Sequence, residues 1–250
     1  MRVLVLGATG YVGSRVVPAL IEQGHSVRAA SSSRLDPDRF AWGRQVEWAR
    51  CDVTHRPDVL EALDGVDAVL YLVHSLEGRG FAERDRLGAE TVRDAIAESP
   101  VRRVVYLSGL VPDVPTEELS RHIASRLEVE QVLSDVDCSF VALRAGVVLG
   151  SGSTSFEVIR QLATLLVVQP VPVWLQHLVQ PIAITDVLRA MVEAFSDDTM
   201  TGAVDIGGPD VLPYARLLKE CSRAAGLFRV RVPAIAVPTP LVSLGTAALV

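Results

Sequence analysis

Residues 3–13 read Val3-Leu4-Val5-Leu6-Gly7-Ala8-Thr9-Gly10-Tyr11-Val12-Gly13. Four consecutive apolar residues ending on a glycine predict a short strand buried on both faces, as inside a parallel sheet. The period then changes. Val12, Val16, Ala19 and Leu20 recur at helical spacing as far as Gln23, and Gly24 predicts a glycine-capped helix end. Gly7 permits a tight turn, Gly10 lets the backbone approach a pyrophosphate, and Gly13 lets helix and strand pack closely. A helix starting there offers free N–H groups and its positive dipole end to phosphate. Strand, glycine spacing and helix in this order predict a dinucleotide cradle made by Gly7, Thr9, Gly10, Tyr11, Val12 and Gly13.

The alternation continues outward. Strands are expected at 26–30, 46–49, 68–73, 103–107 and 140–143, with helices at 57–63 and 81–98 between them. Thr116, followed by Glu117 and Glu118, predicts the start of a further helix running to about residue 134. Such an order implies a Rossmann-like, doubly wound parallel sheet with helices on both faces. After Gly150 the pattern loosens, with helices at 156–168, 185–195 and 214–225 and a short strand at 203–206. The expected organisation is a dinucleotide-binding domain over 1–150 and a smaller closing lobe over 151–250.

Hydrophobic residues make up 49% of the 250, enough for a sizeable core. A net charge of −6 without a basic stripe argues against a general nucleic-acid binder. Cys51, Cys138 and Cys221 lie far apart, which fits neither a disulfide framework nor a zinc site, and no His/Asp/Glu cluster has metal-ligand spacing. The first residues lack the apolar core of an export signal, and no stretch reaches the ~18 apolar residues of a membrane span, so a cytoplasmic protein is expected. The apolar tail is broken by Pro233, Pro238 and Pro240. Leu241 to Val250 is expected to rest on another surface, its own or a protein partner's, or to lead into a missing C-terminal segment.

Further stretches carry a resemblance. Gly7–Gly13, Cys51-Asp52-Val53, Tyr71-Leu72-Val73-His74-Ser75, Val105-Tyr106-Leu107-Ser108-Gly109, Leu143-Arg144-Ala145-Gly146-Val147-Val148-Leu149-Gly150, Gln180–Val187 and Asp205–Pro209 span nearly the whole chain. Together they resemble the extended and atypical short-chain dehydrogenase/reductase superfamily, with the nitrogen-metabolite-repressor-like NAD(P)H-binding group as the nearest branch. The resemblance implies that Asp52 and Val53 hold the adenine, that Leu72 and Val73 pass the cofactor, and that His74 lies beside the substrate. Asp52 has a second reading, as a turn or cap residue before the short helix.

An NAD site usually places an acid at the end of the second strand. This chain has Ser31-Ser32-Ser33-Arg34 there. Ser32 and Arg34 suit the 2′-phosphate, so NADP(H) is expected over NAD(H).

Most of the superfamily reduces carbonyls with a Tyr and a Lys four residues later. That pair cannot exist here, because the single lysine, Lys219, follows Ala215 at that spacing. Matching onto the family pattern puts His122 at the Tyr and Arg126 at the Lys. An imidazole can transfer a proton near neutral pH, and an arginine can hold ribose or phosphate. Ser108 is a second candidate for the substrate's oxygen. Arg144 at the sixth strand's end is read either as a ligand for an anionic substrate or as the partner of a loop carboxylate. His177, near the presumed mouth, is either a substrate contact or a surface residue.

Two functions stay open. One is an NADPH-dependent oxidoreductase on an unidentified small carbonyl or enone. The other is a dinucleotide-binding sensor, chaperone or scaffold without turnover.

Overall fold

The computed structural model describes residues 1–33, 36–74, 80–165, 168–171 and 173–233. Arg34 and the tail Leu241–Val250 lie outside the described residues, so those two expectations are not addressed below.

In chain order the first elements are β1 (Arg2–Leu6), α1 (Gly13–Glu22), β2 (Ser26–Ser31), β3 (Glu47–Arg50), α2 (Arg56–Leu63), β4 (Ala68–Tyr71) and α3 (Phe81–Ile96). β5 (Arg103–Gly109), α4 (Arg121–Ser134) and β6 (Ser139–Ala145) follow. Then come β7 (Val147–Leu149), α5 (Thr154–Leu165), β8 (Val168–Val171), β9 (Leu178–Val179) and β10 (Pro181–Ala183). α6 (Ile184–Glu193), β11 (Gly202–Ile206), β12 (Leu212–Pro213), α7 (Tyr214–Ala224) and β13 (Val230–Pro233) complete the described chain.

Seven parallel strands form one sheet in the order β11-β6-β5-β4-β1-β2-β3. The all-apolar strands take its centre. Val3, Leu4, Val5, Val69, Leu70, Val104 and Val105 are fully buried, as expected for strands covered by helices on both faces. From β1 the chain winds outward through β2 and β3, then returns to β4 on the other side. The order therefore reverses between β1 and β4, the place where α/β sheets open a crevice at their carboxyl edge.

α1 ends as its sequence suggests. Gly24 has φ +82°, and the His25 N–H reaches back to the Leu20 carbonyl at 3.0 Å. The fourth helix departs from expectation. Thr116–Glu118 makes only a single 3-10 turn, and Leu119 and Ser120 are extended. The helix begins at Arg121, capped by Ser120, whose hydroxyl accepts from the Ile123 N–H at 3.3 Å.

Two buried arginines close helix ends. Arg28 donates from Nη1 to the carbonyls of Ala62 and Asp64 at 2.7 and 2.8 Å, at the negative end of α2, and from Nη2 to Glu47 at 2.8 Å. Arg103 donates to the carbonyls of Ala194, Asp197 and Met200 beyond α6, and to the Ser139 hydroxyl.

The chain divides into two compact units, Met1–Gly146 with Ala183–Ile206, and Val147–Ile182 with Gly207–Val250. One division near residue 150 thus misses a return of the chain. α6 and β11, expected in the C-terminal lobe, belong to the first unit. There β11 pairs with β6 from Gly202↔Val141 to Ile206↔Ala145 and covers an edge that would otherwise be open. In the second unit, Ile159, Leu175, Leu217 and Leu218 form a small core between α5 and α7.

Candidate functional site

The glycine loop lies at the carboxyl end of β1, beside the strand-order reversal. The Ala8 N–H bonds the Ala30 carbonyl and the Gly10 N–H bonds the Gly7 carbonyl, both at 3.1 Å. Gly7 has φ +86°, and a β-carbon there would meet the Leu72 backbone at 3.3 Å. A β-carbon on Gly13 would lie 2.2 Å from the Gly7 carbonyl oxygen. Close packing of α1 on β1 therefore demands a glycine at 13. Gly10 differs: a β-carbon there would meet only the Gly7 oxygen, at 3.3 Å, with no other atom within 4 Å. The N–H groups of Tyr11, Val12 and Gly13 make no hydrogen bond to another described residue. The loop thus offers unspent donors beside a position left open by the protein's own packing. That fits a phosphate approaching the start of α1.

Side chains fasten the cradle. Thr9 Oγ1 and Ser31 Oγ share a hydrogen bond of 3.1 Å, and the Ser33 N–H donates to Ser31 Oγ at 3.2 Å. Ser32 is exposed in this turn. Arg15 Nη1 donates to the Tyr11 carbonyl at 2.9 Å, and its guanidinium lies 4.0 Å over the Tyr11 ring. The Tyr11 hydroxyl is buried without a partner.

Asp52 makes the turn that one reading gave it. Its Oδ1 accepts from the Thr54 N–H at 3.0 Å and the Thr54 hydroxyl at 2.8 Å. α2 is preceded by His55, so Asp52 is not its cap. The Val53 side chain packs toward α3, where a β-carbon on Gly88 would touch it at 2.8 Å. Leu72 continues β4 by donating its N–H to the Leu6 carbonyl at 3.0 Å, and Val73 packs on the core.

The ladders align the next residues. Leu6↔Tyr71 and Tyr71↔Tyr106 are partners, so Gly7, Leu72 and Leu107 follow side by side at the carboxyl edge. Ser108 is partnered with Arg144 on β6. The Arg126 side chain reaches this edge from α4, with Nη1 3.6 Å from where a Gly109 β-carbon would sit. It forms no ion pair among the described residues. The Arg126 carbonyl accepts from the Tyr106 hydroxyl at 3.4 Å. One turn earlier His122 is exposed, its ring stacked on Phe81 at 5.0 Å between centroids and 22° between planes.

His74 faces the same edge. Protein packed about the ring, then the Arg126 guanidinium, hold its pKa below the usual imidazole value, although its outer side is exposed. The Ser108 hydroxyl is fully covered and without a hydrogen-bond partner. It favours the Tyr106 phenolate without reaching hydrogen-bond geometry, and burial of Tyr106 outweighs it, raising that pKa.

Arg144 is committed. Its Nη2 donates to Glu130 Oε1 at 2.7 Å and its Nε to both carboxylate oxygens at 3.2 and 3.1 Å. The partner is a buried carboxylate on α4. Arg144 thus has the carboxylate partner that one of its two readings gave it, on a helix rather than a loop, with Nε and Nη2 engaged. Sequence reasoning missed Glu130. Its signal was an acid on α4 four residues after Arg126, which shares Arg126's helix face. Phe81 was missed as well.

In the second unit His177 is exposed, and its carbonyl accepts from the Tyr214 N–H at 3.0 Å. Gln180 donates to the Gly208 carbonyl at 2.8 Å. Among the described residues, no group of three or more His, Cys, Asp or Glu could hold a metal ion, and no helix is long and apolar enough to cross a membrane.

Residues 7–167 match a family described as NAD(P)H-binding, more than half of the chain. An uncharacterized protein of Mycobacterium tuberculosis is 27% identical over 235 residues, which cover 93% of this chain and 24% of that protein. The chain thus spans about a quarter of the length of the first curated relatives it matches. Cinnamoyl-CoA reductase 2 of Arabidopsis thaliana is 32% identical over 117 residues, 43% of this chain and 35% of that protein. Among solved structures, UDP-N-acetylglucosamine 4-epimerase from Bacillus cereus superposes with a TM-score of 0.72 at 17% identity, over 94% of this chain and 87% of that one. MoeE5, in complex with UDP-glucose and NAD, gives 0.73 at 22% identity, over 94% and 86%. At these identities the structural likeness is one of fold.

Proposed function

The chain belongs to the NAD(P)H-binding family, and we propose that within it this is an extended or atypical short-chain dehydrogenase/reductase, an NADPH-dependent oxidoreductase acting on a small carbonyl-type compound. The observation that carries the reading is the open side of Gly10 beside the unspent N–H groups of Tyr11, Val12 and Gly13. They would hold the pyrophosphate. Asp52 and Val53 would border the adenine. Ser32 and Arg34 would meet the 2′-phosphate, which favours NADP(H) over NAD(H). A bound reduced nicotinamide supplies a hydride.

The protein's own groups do the rest. Arg126, beside Gly109 and without an ion pair among the described residues, would hold the ribose at the edge between β4 and β5. His122, exposed one turn earlier with its ring stacked on Phe81, would give a proton to the oxygen that accumulates negative charge. His74 would border the substrate. The Ser108 hydroxyl, covered and without a hydrogen-bond partner, would be the second candidate for the substrate's oxygen. Relatives named for reductase and dehydrogenase activities favour the same class of chemistry.

The second reading, a dinucleotide-binding sensor, chaperone or scaffold, is favoured by one observation: His122 and Arg126 replace the usual Tyr and Lys. NADPH oxidation against a panel of aldehydes, ketones and enones separates the two. Turnover that falls about 100-fold in His122→Ala, with NADPH affinity unchanged, is expected. NADPH binding without turnover on any panel member would give the second reading the place of the first.

A further inference from the structure

Arg50 ends β3 and is partnered with Ser31, the last residue of β2. Partners in a parallel ladder point to the same face, and adjacent strands lie about 4.8 Å apart. The face is fixed by two contacts. Ser31 meets Thr9 of the glycine loop. Trp48, two residues before Arg50 and so on its side of β3, stacks on Trp42 at 5.4 Å, and Trp42 Nε1 donates to the Ser14 carbonyl in α1. Arg50 therefore stands on the α1 face of the sheet, at its carboxyl edge, one strand from the turn of Ser31, Ser32 and Ser33.

Among the described arginines of β2, β3 and the loop between them, Arg28 pairs with Glu47, Arg44 pairs with Asp38, and Arg39 lies over the Phe40 ring. The Arg50 side chain is exposed and has no ion pair or hydrogen bond to a described residue. Asp58, the acid its charge reaches, is engaged by the Asp52 N–H and His55.

We infer that Arg50 is a second cation for the 2′-phosphate monoester of the bound dinucleotide's adenosine half, and so determines specificity for NADP(H). The inference rests on the NADP(H) reading above. A guanidinium from β3 would approach the phosphate from the side opposite the serine turn, with a fork of donors.

The test is calorimetry on the full chain with NADP+, NAD+, adenosine 2′,5′-bisphosphate and AMP. Arg50→Gln should weaken NADP+ and the bisphosphate about tenfold to 100-fold, the loss expected of one charge-assisted contact. NAD+ and AMP should bind as before, and the melting temperature should not change. Arg50→Lys should recover part of the loss. Equal weakening of both ligand pairs, or of neither, overturns the inference while the NADP(H) preference stands. A wild-type chain that binds NAD+ more tightly overturns the NADP(H) reading itself, before any variant is made.

Discussion

Gly13→Ala isolates the packing on which the cradle depends. Considered alone, the change favours the helix, since Ala exceeds Gly by about 1 kcal/mol in helical propensity. The structure predicts the opposite sign. The new methyl would sit 2.2 Å from the Gly7 carbonyl oxygen, 2.8 Å from Ala8 Cα and 2.9 Å from the Ala8 carbonyl carbon. All three are backbone atoms, so no side chain can swing away. Reaching ordinary contact, which begins at 3.4 Å, requires α1 and the loop to separate by 1.2 Å. Overpacking of this kind costs about 1–3 kcal/mol. At about 2–4 °C per kcal/mol for a chain of this size, the melting temperature should fall by several degrees. The same shift moves the Tyr11–Gly13 donors from their aim. Losing one charge-assisted hydrogen bond to phosphate should weaken NADPH about tenfold or more. Gly10→Ala and Gly24→Ala are the controls. The first should lower affinity with little change in melting temperature, because the protein itself leaves that side open. The second, at φ +82° with no atom within 4 Å, should lower stability and leave affinity alone. Differential scanning fluorimetry and calorimetry read both quantities. A Gly13→Ala protein with wild-type melting temperature and affinity would refute the reasoning.

Two further outcomes follow from buried groups. Arg103→Met strips donors from the carbonyls of Ala194, Asp197 and Met200 at the end of α6; orphaning the buried one, on Ala194, costs about 1–3 kcal/mol, so thermal melting should drop by several degrees while NADPH affinity is kept, and an unchanged melt would show the contacts to be idle. Burial, with Asp58 and Asp52 nearby, pushes the Cys51 thiol up to about 12, disfavouring the thiolate; iodoacetamide at pH 8 should label Cys51 only after unfolding, and rapid labelling of the native chain would contradict this.

The first unit was legible because its signals are local. A buried parallel strand is a short apolar run, and β1, β4 and β5 are such runs. The glycine spacing marks the turn between β1 and α1 whatever surrounds it. Helix 116–134 misled because Thr116, Glu117 and Glu118 carry every mark of a helix start, whereas Ser120, four residues on, offers the hydroxyl that caps the real one. The return of α6 and β11 to the first unit was illegible for another reason. Gly202–Ile206 is short and half-exposed, and its membership depends on β6 having a free edge, which no local pattern announces.

Charge partners in the site were the least legible feature. Arg144 looked available because its neighbours in sequence are apolar. Its partner, Glu130, lies fourteen residues earlier and meets it only when α4 packs over β5 and β6. Arg126, one turn before Glu130 on the same helix, has no such acid at ion-pair distance among the described residues. One helix thus neutralises the cation on β6 and delivers another, unneutralised, to the edge of β5. Where the resemblance leads one to expect a lysine the chain offers an arginine, a fork of donors suited to binding and orienting a ribose or phosphate. The imidazoles near this edge are His74, after β4, and His122, one turn before Arg126 on α4. Packing about its ring, then the Arg126 guanidinium, favour the neutral form of His74. On the proposed reductase reading the donor's work falls to His122, the imidazole exposed on α4 and stacked on Phe81, and a His122→Ala protein that kept full turnover would refute it.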